Sequence, residues 1–87
     1  MDLIIKQKHI KGSIRRNPAK CPAAKAFKDA GFKGVQVNRH EVVYDGGSYS
    51  HNLPLTLRKA IDMFDRGGKF KIGTYRIAGL ENPSKKR

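Results

Sequence analysis

The sequence has one cysteine, Cys21, among its 87 residues, and it has no tryptophan. A single cysteine cannot form a disulfide within the chain, which excludes the disulfide-rich secreted domains and favours a reducing compartment. The apolar run in MDLIIKQKHI is too short and too interrupted for a signal peptide, and no other stretch approaches the length of a membrane span. These absences predict a cytoplasmic protein with no membrane partner.

Acidic residues are also scarce, since 7 Asp and Glu stand against 19 Lys and Arg, for a formal net charge of +12. Such an excess raises self-repulsion in the folded state and attracts polyanions such as nucleic acid or acidic protein surfaces. Hydrophobic residues still make up 38% of the chain, so a small core can form. The length predicts a single domain over residues 1–78, followed by a flexible basic tail over residues 79–87.

Hydrophobic periodicity predicts two helices. Apolar residues recur at the helical period in LPLTLRKAIDMFDRGG, which predicts a helix over residues 54–66 with one apolar stripe. A second, shorter helix is predicted in CPAAKAFKDAGF, where Pro22 suits the first turn and Gly31 suits the end. Both helices need a core against which to pack their apolar faces.

Strands are predicted where apolar and polar residues alternate between turn signals. They cover residues 2–10, 34–38, 41–44, 48–51 and 69–78, and the last has a bulge or bend at Gly73. The order β-α-β-β-β-α-β predicts an α+β fold. The expected architecture is a small two-layer sandwich with both helices on one face of a four- to five-stranded sheet.

A series of short motifs runs through the chain. They are His9-Ile10 with Gly12, Asn17-Pro18, Cys21-Pro22-Ala23-Ala24, Gly31-Phe32, Val35-x-Val37, an LP-initiated helix ending in Phe64-Asp65-Arg66-Gly67, and Thr74-Tyr75-Arg76-Ile77. With this pattern, the chain resembles, over about residues 3–77, a group of small uncharacterised proteins encoded by bacteriophages. The resemblance implies a phage origin and a life in the cytoplasm of an infected host cell. It implies no activity for any residue.

Cys21 and the histidines are the first candidates for chemistry. A cysteine at a helix start beside basic residues could be a low-pKa thiolate, but no base and orienting partner are spaced around Cys21. The favoured interpretation is a small apolar residue at the helix entry. His9, His40 and His51 could join Cys21 around a metal, yet the ligand spacing of a zinc site is missing.

The carboxylates and glycines also lack a catalytic pattern. Two pairs of carboxylates lie close in sequence, Asp62 with Asp65 and Glu41 with Asp45. Carboxylates in such positions are more often surface charges than an acid–base pair. The run Asp45-Gly46-Gly47-Ser48 lacks the lysine and the following helix of a phosphate-binding loop, so it predicts a turn. The sequence therefore predicts no enzyme, no catalytic residue, no cofactor and no metal.

Basic residues around the first predicted helix form the most distinct group. They are Lys11, Arg15, Arg16, Lys20, Lys25 and Lys28. Most helices place acidic residues at the N-terminus to complement its free N–H groups, whereas here the sign is reversed, which favours an anion such as phosphate. The alternative is a solvated basic face without a partner. Tyr44, Tyr49 and Tyr75 could stack on bases, although tyrosines on short strands more often pack within the fold.

These features predict a small, basic, non-enzymatic phage-type protein that binds a polyanionic partner, nucleic acid or a nucleic-acid-handling host complex, through phosphate contacts. One alternative is an inhibitor or adaptor of a host enzyme or defence system, which would dock an acidic patch by charge or an open strand by edge pairing. A minor virion structural protein is the other alternative.

Overall fold

The predicted α+β fold class is confirmed. The computed structural model describes residues 1–81 and residue 83. Its elements in chain order are β1 (Asp2–Ile5), α1 (Gln7–Ile10), α2 (Pro22–Asp29), β2 (Gln36–Val37), β3 (Glu41–Tyr44), a 3₁₀ turn (Asp45–Gly47), β4 (Tyr49–Asn52), α3 (Leu55–Asp65) and β5 (Gly73–Arg76). The predicted succession of strands and helices is therefore present, with the short helix α1 added after β1.

The strands within the described residues form two antiparallel sheets instead of one. β1 pairs with β5, which places Leu3 opposite Tyr75, whereas β3 lies between β2 and β4 in the second sheet. Neither sheet therefore has the predicted four to five strands. A sequence does not reveal this division, because pairing between distant strands depends on tertiary packing.

The predicted strand over residues 2–10 ends at Ile5, where the chain turns into α1. The backbone N–H of Lys6 donates to Nδ1 of His9 (2.9 Å), and the N–H of His9 donates to the carbonyl of Lys6 (3.0 Å). These two bonds close a helical turn, and they leave His9 only 4% exposed. The local side-chain bond outcompetes continuation of the strand.

The predicted last strand is also shorter than its pattern. Only residues 73–76 pair with β1, beginning at Gly73, whose φ of +146° suits glycine. Before it, Phe70 lies buried, with its ring centroid 6.0 Å from that of Phe64. After it, Leu80 is buried in the core, so ordered packing extends into the segment predicted as a tail. Residues 82 and 84–87 of that predicted tail lie outside the described residues.

One core lies under α2 and α3. The apolar stripe predicted for α3 is confirmed, because Leu57, Ala60, Ile61 and Phe64 are buried. The largest fully buried side chains are those of Phe27, Leu3, Ile5, Leu57, Ile77, Val42 and Pro22. Within the part of the chain that the structure describes, no helix has the length and apolar character that crossing a membrane requires.

Candidate polyanion interface

The N-terminus of α2, where an anion was expected, is closed by the protein itself. The Sγ of Cys21 accepts a hydrogen bond from the backbone N–H of Ala24 (3.4 Å), which makes Cys21 the N-cap residue. Cys21, Pro22 and Ala23 are all buried. Any anion at this end of the protein must therefore be held by side chains and not by the free N–H groups of the helix.

Arg15 is an exposed residue whose guanidinium contacts the C-terminal end of α3. Its Nη1 donates to the carbonyl of Phe64 and to that of Gly68 (2.8 Å), and its guanidinium carbon lies 4.4 Å from the centroid of the Phe64 ring. The last carbonyls of a helix lack partners within the helix and carry its negative dipole end. Arg15 therefore satisfies one such carbonyl, that of Phe64, and also binds the carbonyl of Gly68, three residues after α3 ends.

Arg16 contacts the same helix end through its backbone and its side chain. Its N–H donates to Oδ1 of Asp65 (2.9 Å), and its Nε donates to the carbonyl of Asp65 (3.2 Å). The last turn of α3 has no basic residue of its own. The loop between α1 and α2 therefore supplies the positive charge that complements this helix end.

The remaining members of the predicted basic group lie together on one surface. Nζ of Lys25 donates to the carbonyl of Lys11 (2.6 Å), and Nζ of Lys28 donates to the carbonyl of Ala19 (2.8 Å). These bonds hold the 11–20 loop against the polar face of α2. A carbonyl does not neutralise an ammonium group, which keeps its charge and further donors. We call Lys11, Lys20, Lys25 and Lys28 the lysine face.

Acidic residues do not neutralise the lysine face within residues 1–81 and 83. Asp29 is the one carboxylate of α2, and it binds Nε2 of His9 (2.7 Å) and Nζ of Lys8 (3.2 Å). Hydrogen bonds from His9 and then from Lys8 hold the pKa of Asp29 below its usual value. Since Nδ1 of His9 accepts from Lys6, its Nε2 carries the proton that Asp29 accepts.

A second basic region, which the sequence did not reveal, is a cleft of about 560 Å³ between α3 and residues 69–76. Its lining includes Lys59, Lys69, Lys71 and Arg76, and no Asp or Glu is found among the described residues that line it. We call this the α3–β5 cleft. The available signals were Lys59 on the flank of α3 and the alternation of Lys69 and Lys71 with apolar residues in the predicted last strand.

The other candidate residues have structural surroundings. Burial raises the pKa of the Cys21 thiol above its usual value, so the thiol is protonated and is a poor nucleophile. Asp62 forms an ion pair with Arg66 (3.1 Å) on the surface of α3. Across the described ranges, no three His, Cys, Asp or Glu side chains are grouped closely enough to hold a metal ion.

The tyrosines differ in their availability for stacking. Tyr44 and Tyr49 stack on each other with centroids 5.5 Å apart, and Tyr49 is 58% exposed. Tyr75 is buried, and its hydroxyl donates to the carbonyl of Lys71. Both basic regions thus lack an exposed aromatic ring among the described side chains that form them.

Comparison of the chain with protein-family models, with curated proteins and with solved structures found no match in any of the three.

Proposed function

We propose that the protein is a small, non-enzymatic phage-type protein that binds nucleic acid through its phosphates on the lysine face. One observation carries the proposal. Lys25 and Lys28 are bound to the carbonyls of Lys11 and Ala19, which gathers Lys11, Lys20, Lys25 and Lys28 on one surface where no carboxylate of the described chain pairs with them. A run of separated cations suits a polyanion better than it suits a single small anion.

The chemistry of lysine supports contacts with phosphates and not with bases. An ammonium group is a compact point charge, whereas specific contacts with guanine usually use the planar fork of arginine. Arg15 and Arg16, the arginines of the sequence-predicted group, are occupied at the end of α3. Binding on the lysine face is therefore expected to depend little on base sequence.

Salt dependence gives the proposal a quantitative form. Each phosphate that a protein neutralises releases condensed counterions, so the affinity falls as salt rises. If each of the lysines of this face neutralises one phosphate, the log–log slope of affinity against salt is about −3 to −4.

The test compares two triple variants that remove equal charge. Lys11→Gln with Lys20→Gln and Lys28→Gln changes the lysine face, and Lys59→Gln with Lys69→Gln and Lys71→Gln changes the α3–β5 cleft. Fluorescence anisotropy with labelled duplex and single-stranded DNA should show the salt slope flattened by about 2 to 3 in the first variant and nearly unchanged in the second.

Two outcomes would overturn the proposal. One is that the parent protein, freed of copurified nucleic acid, does not bind either DNA at about 50 mM salt, where phosphate contacts are strong. The other is that both triple variants lose affinity equally, because the charge would then act as a diffuse field and not as a site. Thermal melts of both variants establish that the fold is retained.

The second candidate function, an inhibitor or adaptor that docks a host protein, is favoured by a different observation. Among the described strands, β5 has one hydrogen-bonded neighbour, β1, which leaves its other edge open beside the α3–β5 cleft. The virion role stays a prediction from the sequence.

A further inference from the structure

The open edge of β5 can be located from its pairing with β1. The N–H of Ile77 donates to the carbonyl of Met1, and the amine of Met1 donates to the carbonyl of Ile77, both at 2.8 Å. In an antiparallel pair, residues alternate between bonding the partner strand and facing away from it. Tyr75, two residues from Ile77, therefore faces β1, while the backbone groups of Thr74 and Arg76 face the opposite side.

Those outward backbone groups have no partner within residues 1–81 and 83. Thr74 and Arg76 both line the α3–β5 cleft. An unpaired strand edge beside a concave surface is a template on which an extended peptide can add a strand, because its N–H and C=O groups match those of the peptide backbone.

The floor of the cleft is apolar. Met63 and Ile72 line it and are 57% and 50% exposed, which is high for such side chains, and Ala60 lies beside them. Methionine adapts its shape to different apolar groups. Because alternate residues of a strand point to the same side, a peptide along β5 would direct every second side chain to this floor.

The charge around the floor defines the other side chains of the peptide. Lys59, Lys69 and Lys71 line the cleft without a carboxylate partner in the described chain, and Arg76 is only loosely paired with Asp2, at 4.0 Å. The complementary ligand is acidic. A second copy of this chain is disfavoured, since it would bring the same cations face to face.

Nucleic acid fits this cleft less well than a peptide does. Bases are usually held by stacking on exposed rings, and the Tyr75 side chain that lines the cleft is buried and bonded to Lys71. A sugar–phosphate backbone also has no N–H donors for the open strand edge. We propose that the α3–β5 cleft binds an acidic segment of a partner protein, which pairs with β5 as an added strand and alternates carboxylates with apolar side chains.

The first experiment measures binding of a synthetic peptide of alternating glutamate and valine. Lys59→Gln with Lys69→Gln and Lys71→Gln should weaken binding about tenfold, since each exposed ion pair contributes a few-fold in affinity. The charge-matched variant of the lysine face, at Lys11, Lys20 and Lys28, should change the affinity by less than about twofold, because screening limits distant charges. A peptide of alternating lysine and valine should not bind.

The second experiment tests strand pairing directly. Hydrogen exchange of the Thr74 and Arg76 amides should slow on binding, whereas the amide of Tyr75, already bonded to β1, should change little. N-methylation of alternate peptide backbone nitrogens on the side facing β5 should abolish binding, and methylation on the other side should be tolerated.

Three results would overturn this proposal, and the first two leave the nucleic-acid proposal intact. Equal losses of peptide affinity in both triple variants would mean that charge alone attracts the peptide. Unchanged exchange at Thr74 and Arg76, or tolerance of both methylation patterns, would exclude an added strand. Loss of DNA binding, with peptide binding intact, in the cleft variant would assign the cleft to nucleic acid instead.

Discussion

The lysine face and the α3–β5 cleft each have four basic residues, but they differ in shape and in what surrounds the charge. On the lysine face, the apolar side of α2 is buried and the ammonium groups of Lys25 and Lys28 bond loop carbonyls. In the cleft, Met63 and Ile72 are exposed and a strand edge is open. Charge therefore attracts polyanions to both regions, whereas exposed apolar surface and unpaired backbone determine which partner fits each of them.

Arg15 and Arg16 use their positive charge differently from the neighbouring lysines, because they bind within the protein itself. Arg15 and Arg16 lie in the same basic run as Lys11 and Lys20, yet they stabilise the end of α3, 49 residues away in sequence. Equal charge in one segment thus divides into residues that hold the fold and residues that remain available to a partner.

The largest expected effect is a loss of folding stability, and it should occur on the buried side of α3 but not on the side that lines the cleft. Ile61 is 3% exposed, so Ile61→Asp buries an unpaired carboxylate at a cost of about 3–5 kcal/mol. A small domain with a total stability of about 5–15 kcal/mol should then be largely unfolded or melt far lower. Circular dichroism during urea and thermal unfolding measures this.

Met63→Asp is the matched control two residues away. Because Met63 is exposed, the same new charge should change the free energy of unfolding by less than about 0.5 kcal/mol, yet it should abolish binding of the acidic peptide. A parent-like melting temperature for Ile61→Asp would mean that the buried side of α3 is wrongly assigned.

A smaller effect distinguishes Arg15 from Lys20. Arg15→Ala removes the bonds to the carbonyls of Phe64 and Gly68 and the contact with the Phe64 ring, which should lower the free energy of unfolding by about 1–3 kcal/mol. Lys20→Ala should change it by less than about 0.5 kcal/mol. Urea unfolding of both variants measures the difference. Equal changes in the free energy of unfolding would show that Arg15 is no more structural than Lys20.

The smallest effect concerns Asp29, which binds Lys8 and His9 and is not paired with any residue of the lysine face. Its folded-state pKa lies below the usual value of 3.8, so its stabilising contribution is present above that value and is lost as the pH falls through the folded-state pKa. Because the Asp29 side chain is 53% exposed, this contribution is at most about 1 kcal/mol. Asp29→Asn should remove it.

Urea unfolding between neutral pH and pH 3 measures that contribution. The parent protein should lose more stability than Asp29→Asn on acidification, and Asp62→Asn, which breaks the exposed pair with Arg66, provides the control. A parent and an Asp29→Asn variant with parallel pH profiles would show that the contacts of Asp29 with Lys8 and His9 do not stabilise the fold.

Much of the local structure was determined by the sequence itself. Helices α2 and α3 lie within about two residues of their predicted bounds, and the strands β2, β3 and β4 with the turn at Asp45 follow the predicted order. These features depend on side-chain periodicity, on Pro22 at a helix start and on glycine-rich turns, all of which act over a few residues.

Only the tertiary structure decided how the strands pair and what the basic residues do. The division into two sheets follows from pairing β1 with β5 across the whole domain. The side chain of His9, whose local bond to Lys6 ends β1, also bonds Asp29, 20 residues away. The capping of α3 by Arg15 and the joining of α3 with residues 69–76 into a basic cleft likewise bring distant segments together. A sequence pattern identifies a charged side chain, but the free energy of its contacts depends on which distant carbonyl, carboxylate or open edge the folded chain places beside it.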